Sequence, residues 1–281
     1  MVPFRPVNFS LPASEGFTPG DTGPYARAMT SAGPTGGYDP RHFEQLFQLE
    51  AASFWFKARS DLINWALDKQ FPAAKSFLEL GCGTGYVVDR VRQVHPDWRL
   101  VGTELFEEGL DKARIRMPEG VELRQMDATQ VPYDAEFDVV GAFDVIEHIE
   151  AAPAVLAGMY RAVKPGGGLL ITVPQHKWLW SEADVAAHHV KRYTKKELKA
   201  EITAAGFEVV RVASFVSLLL PAMMASRLLK KDAGNVEEEL DMAAPINKAC
   251  YAAMRLEGAL IRAGINFPAG GSLLAIARRP L

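Results

Sequence analysis

Cysteine is scarce. Cys82 and Cys250 stand far apart and form no CxxC pair, which excludes a disulfide framework and speaks against a zinc site. No charge of one sign dominates either: 31 lysines and arginines against 34 acids give a formal net charge of −3, so no global field reaches toward DNA or RNA. The segment from Met1 to Ser10 has no basic stretch leading into an apolar run, and the uncharged stretch Ser214–Ser226 is too short to span a bilayer. A cytoplasmic chain is the expectation. What is present suffices for a full core, since 48% of the 281 residues are hydrophobic and 23% charged.

The first forty residues hold seven prolines and six glycines without a hydrophobic period, so residues 1–38 are expected as a flexible arm. Beyond it, Phe43, Leu46 and Phe47, then Leu62, Trp65 and Ala66, recur at helical offsets, predicting two helices or one bent helix over Arg41 to Lys69. After Pro72 short apolar runs alternate with helical stretches, the pattern of a parallel sheet wrapped by helices. The expected strands are Ser76–Leu80, Arg99–Thr103, Val121–Gln125, Phe137–Ala142, Gly168–Val173, Phe207–Ala213 and Ser272–Ala277. Thr194 and Glu197 form a capping box for a helix that Leu198 and Ile202 orient and Gly206 ends. Before Ser272, Pro245 suits a helix start, and Ile246, Cys250, Met254 and Ile261 trace an apolar stripe as far as Gly264.

The run Phe77-Leu78-Glu79-Leu80-Gly81-Cys82-Gly83-Thr84-Gly85 puts three glycines between a strand and a helix, where a ligand can approach the backbone without meeting a Cβ. A purely structural turn would read the same way. No lysine followed by serine or threonine closes the loop, which excludes a P-loop. Glu104 ends the second strand about twenty residues on, where a carboxylate can accept both hydroxyls of a ribose, and Asp127 ends the third, placed for an adenine amino group. With Glu79, three acids ring one glycine turn and no arginine stands near for a pyrophosphate, an arrangement suited to a cationic adenosine ligand.

ELGCGTG at Glu79–Gly85, VGTEL at Val101–Leu105, MDA at Met126–Ala128, FDVVGAFDVIEHI at Phe137–Ile149 and VKPGGGLLITVP at Val163–Pro174 resemble the class I S-adenosylmethionine-dependent methyltransferases. The resemblance runs from about Tyr38 to Leu281. It implies an α/β fold: a Rossmann-like seven-stranded sheet with its last strand antiparallel, an α-helical N-terminal extension and an inserted helical cap before the last strand. The methyltransferase domain is then 39–281, with N-terminal helices over 39–72, the cofactor-binding core over 73–213, the cap over 214–270 and the last strand over 271–281. Carried over, Glu79, Gly81 and Gly83 line the methionyl part of S-adenosylmethionine (S-adenosylhomocysteine as product). Glu104, followed by Leu105, takes the ribose, Asp127 with Ala128 the adenine, and Phe143 and Asp144 border the amino acid moiety. Glu104 replaces the more frequent aspartate. FWFKAR at Phe54–Arg59 is similar to a segment that closes over the cofactor, with Arg59 for its carboxylate and Trp55 for its sulfonium, against the plainer reading of core aromatics and a solvated arginine.

Methyl transfer needs an aligned nucleophile and, for a phenol, alcohol or ammonium, a general base. His148 follows the fourth strand and either borders the reaction centre or packs beneath the cofactor. SEADVAAHHVKRYT resembles a family segment of the form D, three residues, GHxRRYT, with His188 where glycine is usual. There Asp184 and His189 either form a carboxylate-oriented imidazole facing the acceptor or fix a loop. No HxxxH or HExxH spacing supports a metal among Glu147, His148, His188 and His189, so none is expected. Ser214–Ser226 reads as a buried cap helix broken at Pro221, or as an apolar substrate wall or interfacial helix. With Arg227, Lys230 and Lys231 it makes 214–231 a candidate lipid contact. Trp178 and Trp180 also favour a small or lipid-like acceptor methylated on oxygen, nitrogen or carbon. The competing readings are an RNA or protein methyltransferase, for which no basic groove or recognition domain is seen, and a non-catalytic cofactor-binding module. No nucleic acid partner is expected; acceptor and oligomeric state are left open.

Overall fold

The computed structural model describes residues 42–229 and 242–281; the expected arm over 1–38, Lys230, Lys231 and the acids Glu237–Glu239 lie outside these residues. The strands are β1 (Ser76–Leu80), β2 (Arg99–Glu104), β3 (Glu122–Gln125), β4 (Phe137–Phe143), β5 (Val163–Pro174), β6 (Glu208–Phe215) and β7 (Ser272–Arg278). They form one sheet in the order β3-β2-β1-β4-β5-β7-β6, with β7 antiparallel to both neighbours and the other pairs parallel. This is the expected Rossmann-like α/β sheet. β5 starts five residues earlier than the apolar run suggested, because Val163 already pairs with Phe137 across an irregularity in the register.

Helices cover both faces, as a parallel sheet requires. On one face α2 (Phe54–Gln70), α3 (Tyr86–Val94), α4 (Glu107–Arg116) and α9 (Ala244–Arg262) bury Leu62, Leu67, Val88, Val91, Leu110, Met254 and Ile261. On the other, α5 (Ala152–Ala162) and α7 (Lys195–Ala204) bury Leu156, Met159, Leu198 and Ile202. The Thr194–Glu197 capping box is present at the start of α7, and Gly206 follows it at φ +101°.

Of the two arrangements expected at the N-terminal side, two helices are present: α1 (His42–Leu49) and α2, which Ser53 caps by accepting from Trp55 N at 3.3 Å. The break between them points the buried Glu50 carboxylate at Thr84 Oγ1 (2.5 Å) and Arg116 (2.6 Å), tying it to the glycine turn and α4.

The insertion before β7 holds α8 (Leu220–Leu229) and α9. The apolar stripe predicted on α9 requires correction. Its inward face is Met254, Glu257 and Ile261, whereas Ile246 is 57% exposed. A carboxylate fits there because Glu257 Oε2 accepts from Ser217 N (2.8 Å) and Leu218 N (2.7 Å), satisfying amides that follow β6. Asn247 joins α9 to α2 by accepting from Phe54 N and donating to Ala52 O, both at 2.8 Å.

Candidate active site

Leu80 pairs with Thr103 on β2 and Ala142 on β4, so Gly81, Glu104 and Phe143 reach the carboxyl edge of the sheet at one level. That edge, on the central strands, is where open α/β sheets hold ligands. Gly81 and Gly83 adopt φ +65° and +54°, but the space around them differs. A Cβ on Gly81 would lie 2.6 Å from Val145, whereas one on Gly83 would meet, among the described residues, only the Phe43 ring of α1, at 3.7 Å.

Glu104 stands across this turn with its carboxylate fixed by three amides: Oε2 accepts from Gly83 N at 2.9 Å, and Oε1 from Leu105 N (2.8 Å) and Phe106 N (3.1 Å). Burial still pushes its pKa up, against those bonds. Oε1 is filled and Oε2 retains one lone pair, so the carboxylate as it stands has room for one hydroxyl rather than the two expected. Asp127 Oδ1 turns back to Thr129 N and Oγ1, both at 2.8 Å, beside the half-buried Ala128.

Glu79 is 2% exposed, its Oε2 has no hydrogen-bond partner, and burial raises its pKa to about 8 with Arg59 opposing. Arg59 is buried, hydrogen-bonded to Asp144 Oδ2, and lies 4.2 Å from the centroid of Trp55; its Nε has no partner. Asp144 also accepts from Thr172 Oγ1 at 2.9 Å and is held at φ +57°, a sparsely populated region for a non-glycine residue. The solvated alternative for Arg59 is thereby excluded. The Phe143 ring stacks on Phe77, centroids 6.4 Å apart, so that side chain belongs to the core and only its backbone edges the site. Four acids, Glu50, Glu79, Glu104 and Asp144, thus face two guanidinium groups, Arg59 and Arg116. An excess of buried carboxylate with one oxygen orphaned fits a cationic ligand.

A second group adjoins at the turn Ile146–His148. The rings of His148 and His189 are 4.7 Å apart and inclined at 70°. His189 Nδ1 lies 2.8 Å from Asp184 Oδ1, which also accepts from Arg192 Nε at 2.6 Å, while Ser181 N donates to Asp184 Oδ2 at 2.8 Å. Asp184 is the N3 member of the capping box that opens α6 (Glu182–Ala186). The pair predicted from sequence is therefore present, and so is the loop-fixing network. His188 takes φ +55°, the glycine conformation without the glycine.

Burial first, and His189 second, hold His148 down to about 3, so it is neutral at physiological pH. Against the cost of burial, His189 and Arg192 hold Asp184 at about 2. Glu147 is fully buried with both carboxylate oxygens unpartnered, and burial followed by Asp144 drives its pKa well above the ordinary range. Glu147, His148 and His189 each bring a potential ligand atom within 4.8 Å of the others, a convergence that sequence spacing could not reveal because His189 arrives from after β5. The Glu50–Thr84–Arg116 link and the Phe43 ring facing Gly83 were likewise missed, since nothing local in the sequence marks a partner so far along the chain.

The family model of a methyltransferase domain matches residues 47–212. A "Probable S-adenosylmethionine-dependent methyltransferase" of Mycolicibacterium smegmatis is 30% identical over 164 residues, covering 57% of this chain and 62% of that protein. A ubiquinone biosynthesis O-methyltransferase of Pseudomonas aeruginosa is 29% identical over 140 residues, covering 45% and 60%. The chain thus matches about three fifths of the length of these relatives. Among solved structures, phosphoethanolamine N-methyltransferase 2 of Haemonchus contortus, in complex with S-adenosyl-L-methionine, shares the fold with a TM-score of 0.53 at 18% identity, covering 78% of this chain and 52% of that one.

Proposed function

Since the chain belongs to the methyltransferase family, we propose that it transfers a methyl group from S-adenosylmethionine to a small, apolar or lipid-like organic acceptor. When bound, the cofactor supplies an electrophilic methyl on a sulfonium, which needs no activation by the protein. The observation that carries this reading is the ring of buried acids around a glycine turn: Glu79 has an orphaned oxygen, and among the described residues a Cβ on Gly83 would find only the Phe43 ring within 4 Å. Glu79 and Asp144 would hold the amino acid end with Gly81 and Gly83, and Arg59 would offer its unpartnered Nε to the carboxylate under Trp55. Glu104 and Leu105 would hold the ribose, Asp127 and Ala128 the adenine.

His189, with Asp184 fixing its Nδ1 side, presents Nε2 as the proton acceptor, and the neutral His148 lines the same space. The exposed Trp178, stacked on His176 with centroids 5.0 Å apart, and the exposed Leu218 and Met224 that follow β6 support an apolar acceptor and a lipid contact through 214–231. No helix among the described residues is long and apolar enough to cross a membrane, and a cytoplasmic location is part of the same proposal.

Calorimetry tests the cofactor half: S-adenosylhomocysteine should bind tightly to the wild type and not to Gly83→Arg or Glu104→Ala. Incubation with methyl-labelled cofactor and fractionated metabolites, read by mass spectrometry, tests the acceptor half. Label in polymers would sink the small-molecule reading, and binding without turnover would favour a non-catalytic module. We read the reaction as metal-independent. Dialysis against a chelator should leave turnover unchanged, whereas a loss that a divalent cation restores would make Glu147, His148 and His189 its ligands.

A further inference from the structure

Glu147, His148 and His189 converge although no local spacing in the sequence marks a metal motif. Each offers one ligand atom, and these atoms lie within 4.8 Å of one another. Around zinc, at bonds of about 2.0–2.2 Å, such atoms stand about 3.4 Å apart, so side-chain torsions need close a gap of at most about 1.4 Å. Main-chain bonds hold the two sources of the donors together: Val190 N donates to Glu147 O at 2.8 Å, and His189 N to Asp184 O at 2.9 Å.

Two further observations point to a cation. Glu147 is 0% exposed, yet among the described residues neither of its carboxylate oxygens has a hydrogen-bond partner, a costly arrangement that a bound cation relieves. Asp184 Oδ1 engages Nδ1 of His189 at 2.8 Å, which leaves the lone pair on Nε2; a carboxylate behind an imidazole is how histidine is oriented toward zinc. Hydrogen bonds to the backbone of Ala187 and His188 hold the His148 ring in a comparable way.

We propose that these three side chains hold a divalent transition metal of the zinc class, with its fourth position left to water. Two imidazoles and one carboxylate suit zinc, whereas magnesium and calcium take oxygen ligands. Both histidines are only half-buried, which gives the ion a way in. Occupancy consumes the Nε2 lone pair of His189 that the methyl-transfer mechanism assigns to the acceptor proton. Resting on that reading, bound zinc inhibits transfer, in keeping with a reaction that needs no metal. Binding of the metal is independent of it.

The test is titration of the full chain with cobalt(II), whose visible d–d absorption reports low-coordinate ligation by nitrogen and oxygen. One equivalent should develop the bands; zinc should displace it and magnesium should not. Glu147→Gln and His189→Ala should each weaken cobalt binding by at least about tenfold, while His188→Ala, beside the cluster, should bind like the wild type. Nitrogen-15 NMR of the wild type needs no folded variant: zinc should shift Nε2 of His189 and leave its Nδ1 nearly in place. Absent bands, bands that survive both Glu147→Gln and His189→Ala, or an Nε2 resonance that zinc does not move would overturn the proposal. Zinc should also lower methyl-label incorporation, and incorporation that rises would overturn the inhibition. No label at all, with the cobalt bands present, would sink the methyl-transfer reading and leave the metal site standing.

Discussion

Asp184 Oδ1 lies 2.8 Å from His189 Nδ1 and shares that oxygen with Arg192, so one buried carboxylate fixes both the tautomer of an imidazole and the loop that carries it. Asp184→Asn separates these roles. Loss of the buried counter-ion should cost about 3 kcal/mol of stability in urea titration, and, with His189 as the proposed base, its loss of orientation should lower kcat by on the order of 100-fold or more with S-adenosylhomocysteine affinity unchanged. The pH dependence follows from the depressed pKa. The folded value is about 2 against an ordinary 3.8. The stabilisation, about 2 kcal/mol, is present above pH 4 and lost as pH falls through 2. In Asp184→Asn that part of the acid unfolding curve should disappear.

Glu79 shows the opposite sign. Its folded pKa of about 8 exceeds the ordinary 4.5, so in the free protein its contribution is favourable below pH 4.5 and is lost as pH rises to 8. Glu79→Gln should therefore raise the Tm of the ligand-free chain at pH 8 and leave it nearly unchanged at pH 4. If the cofactor ammonium pairs with the ionised carboxylate, binding at pH 7 should release a proton, detectable by calorimetry in buffers of different ionisation heat and absent in Glu79→Gln.

The two glycines predict distinct variants. Gly81→Ala puts a methyl 2.6 Å from Val145 at φ +65° and should cost about 3 kcal/mol in urea unfolding. Gly83→Ala meets, among the described residues, only Phe43 at 3.7 Å and should cost about 1–2 kcal/mol from its φ alone. Its larger effect should fall on S-adenosylhomocysteine affinity.

His188→Gly relieves a left-handed histidine, φ +55°, at the position where the segment it resembles has glycine. Relief of about 1–2 kcal/mol is partly offset by the greater freedom of glycine in the unfolded chain, so a net gain of about 1 kcal/mol is expected by thermal unfolding. Destabilisation would mean that the side chain itself holds the loop.

The sheet was legible because each device that builds it is local. Glycines follow an apolar strand at Leu80, an acid closes β2 at Glu104, and Thr194 with Glu197 announces a helix. The Asp184–His189 pair was legible for the same reason, being five residues apart. What sequence could not supply was pairing across long separations. The pairing of Arg59 with Asp144 and of Glu50 with Arg116 had no local mark in the sequence. On α9 the apolar count misled, because the inward face includes a carboxylate whose partners, two backbone amides, leave no trace in residue type.

β6 joins the sheet through β7 alone, and β7 is reached only after the long excursion from Phe215 to Ser272. During synthesis on the ribosome, β1 to β5 can assemble as they emerge, but β6 must wait unpaired until Ser272–Arg278 clears the exit tunnel. The glycine turn after β1 is thus built early, while the side of the sheet that extends beyond β5 is closed late, which makes the interval between the two the stage most exposed to chaperones and proteases.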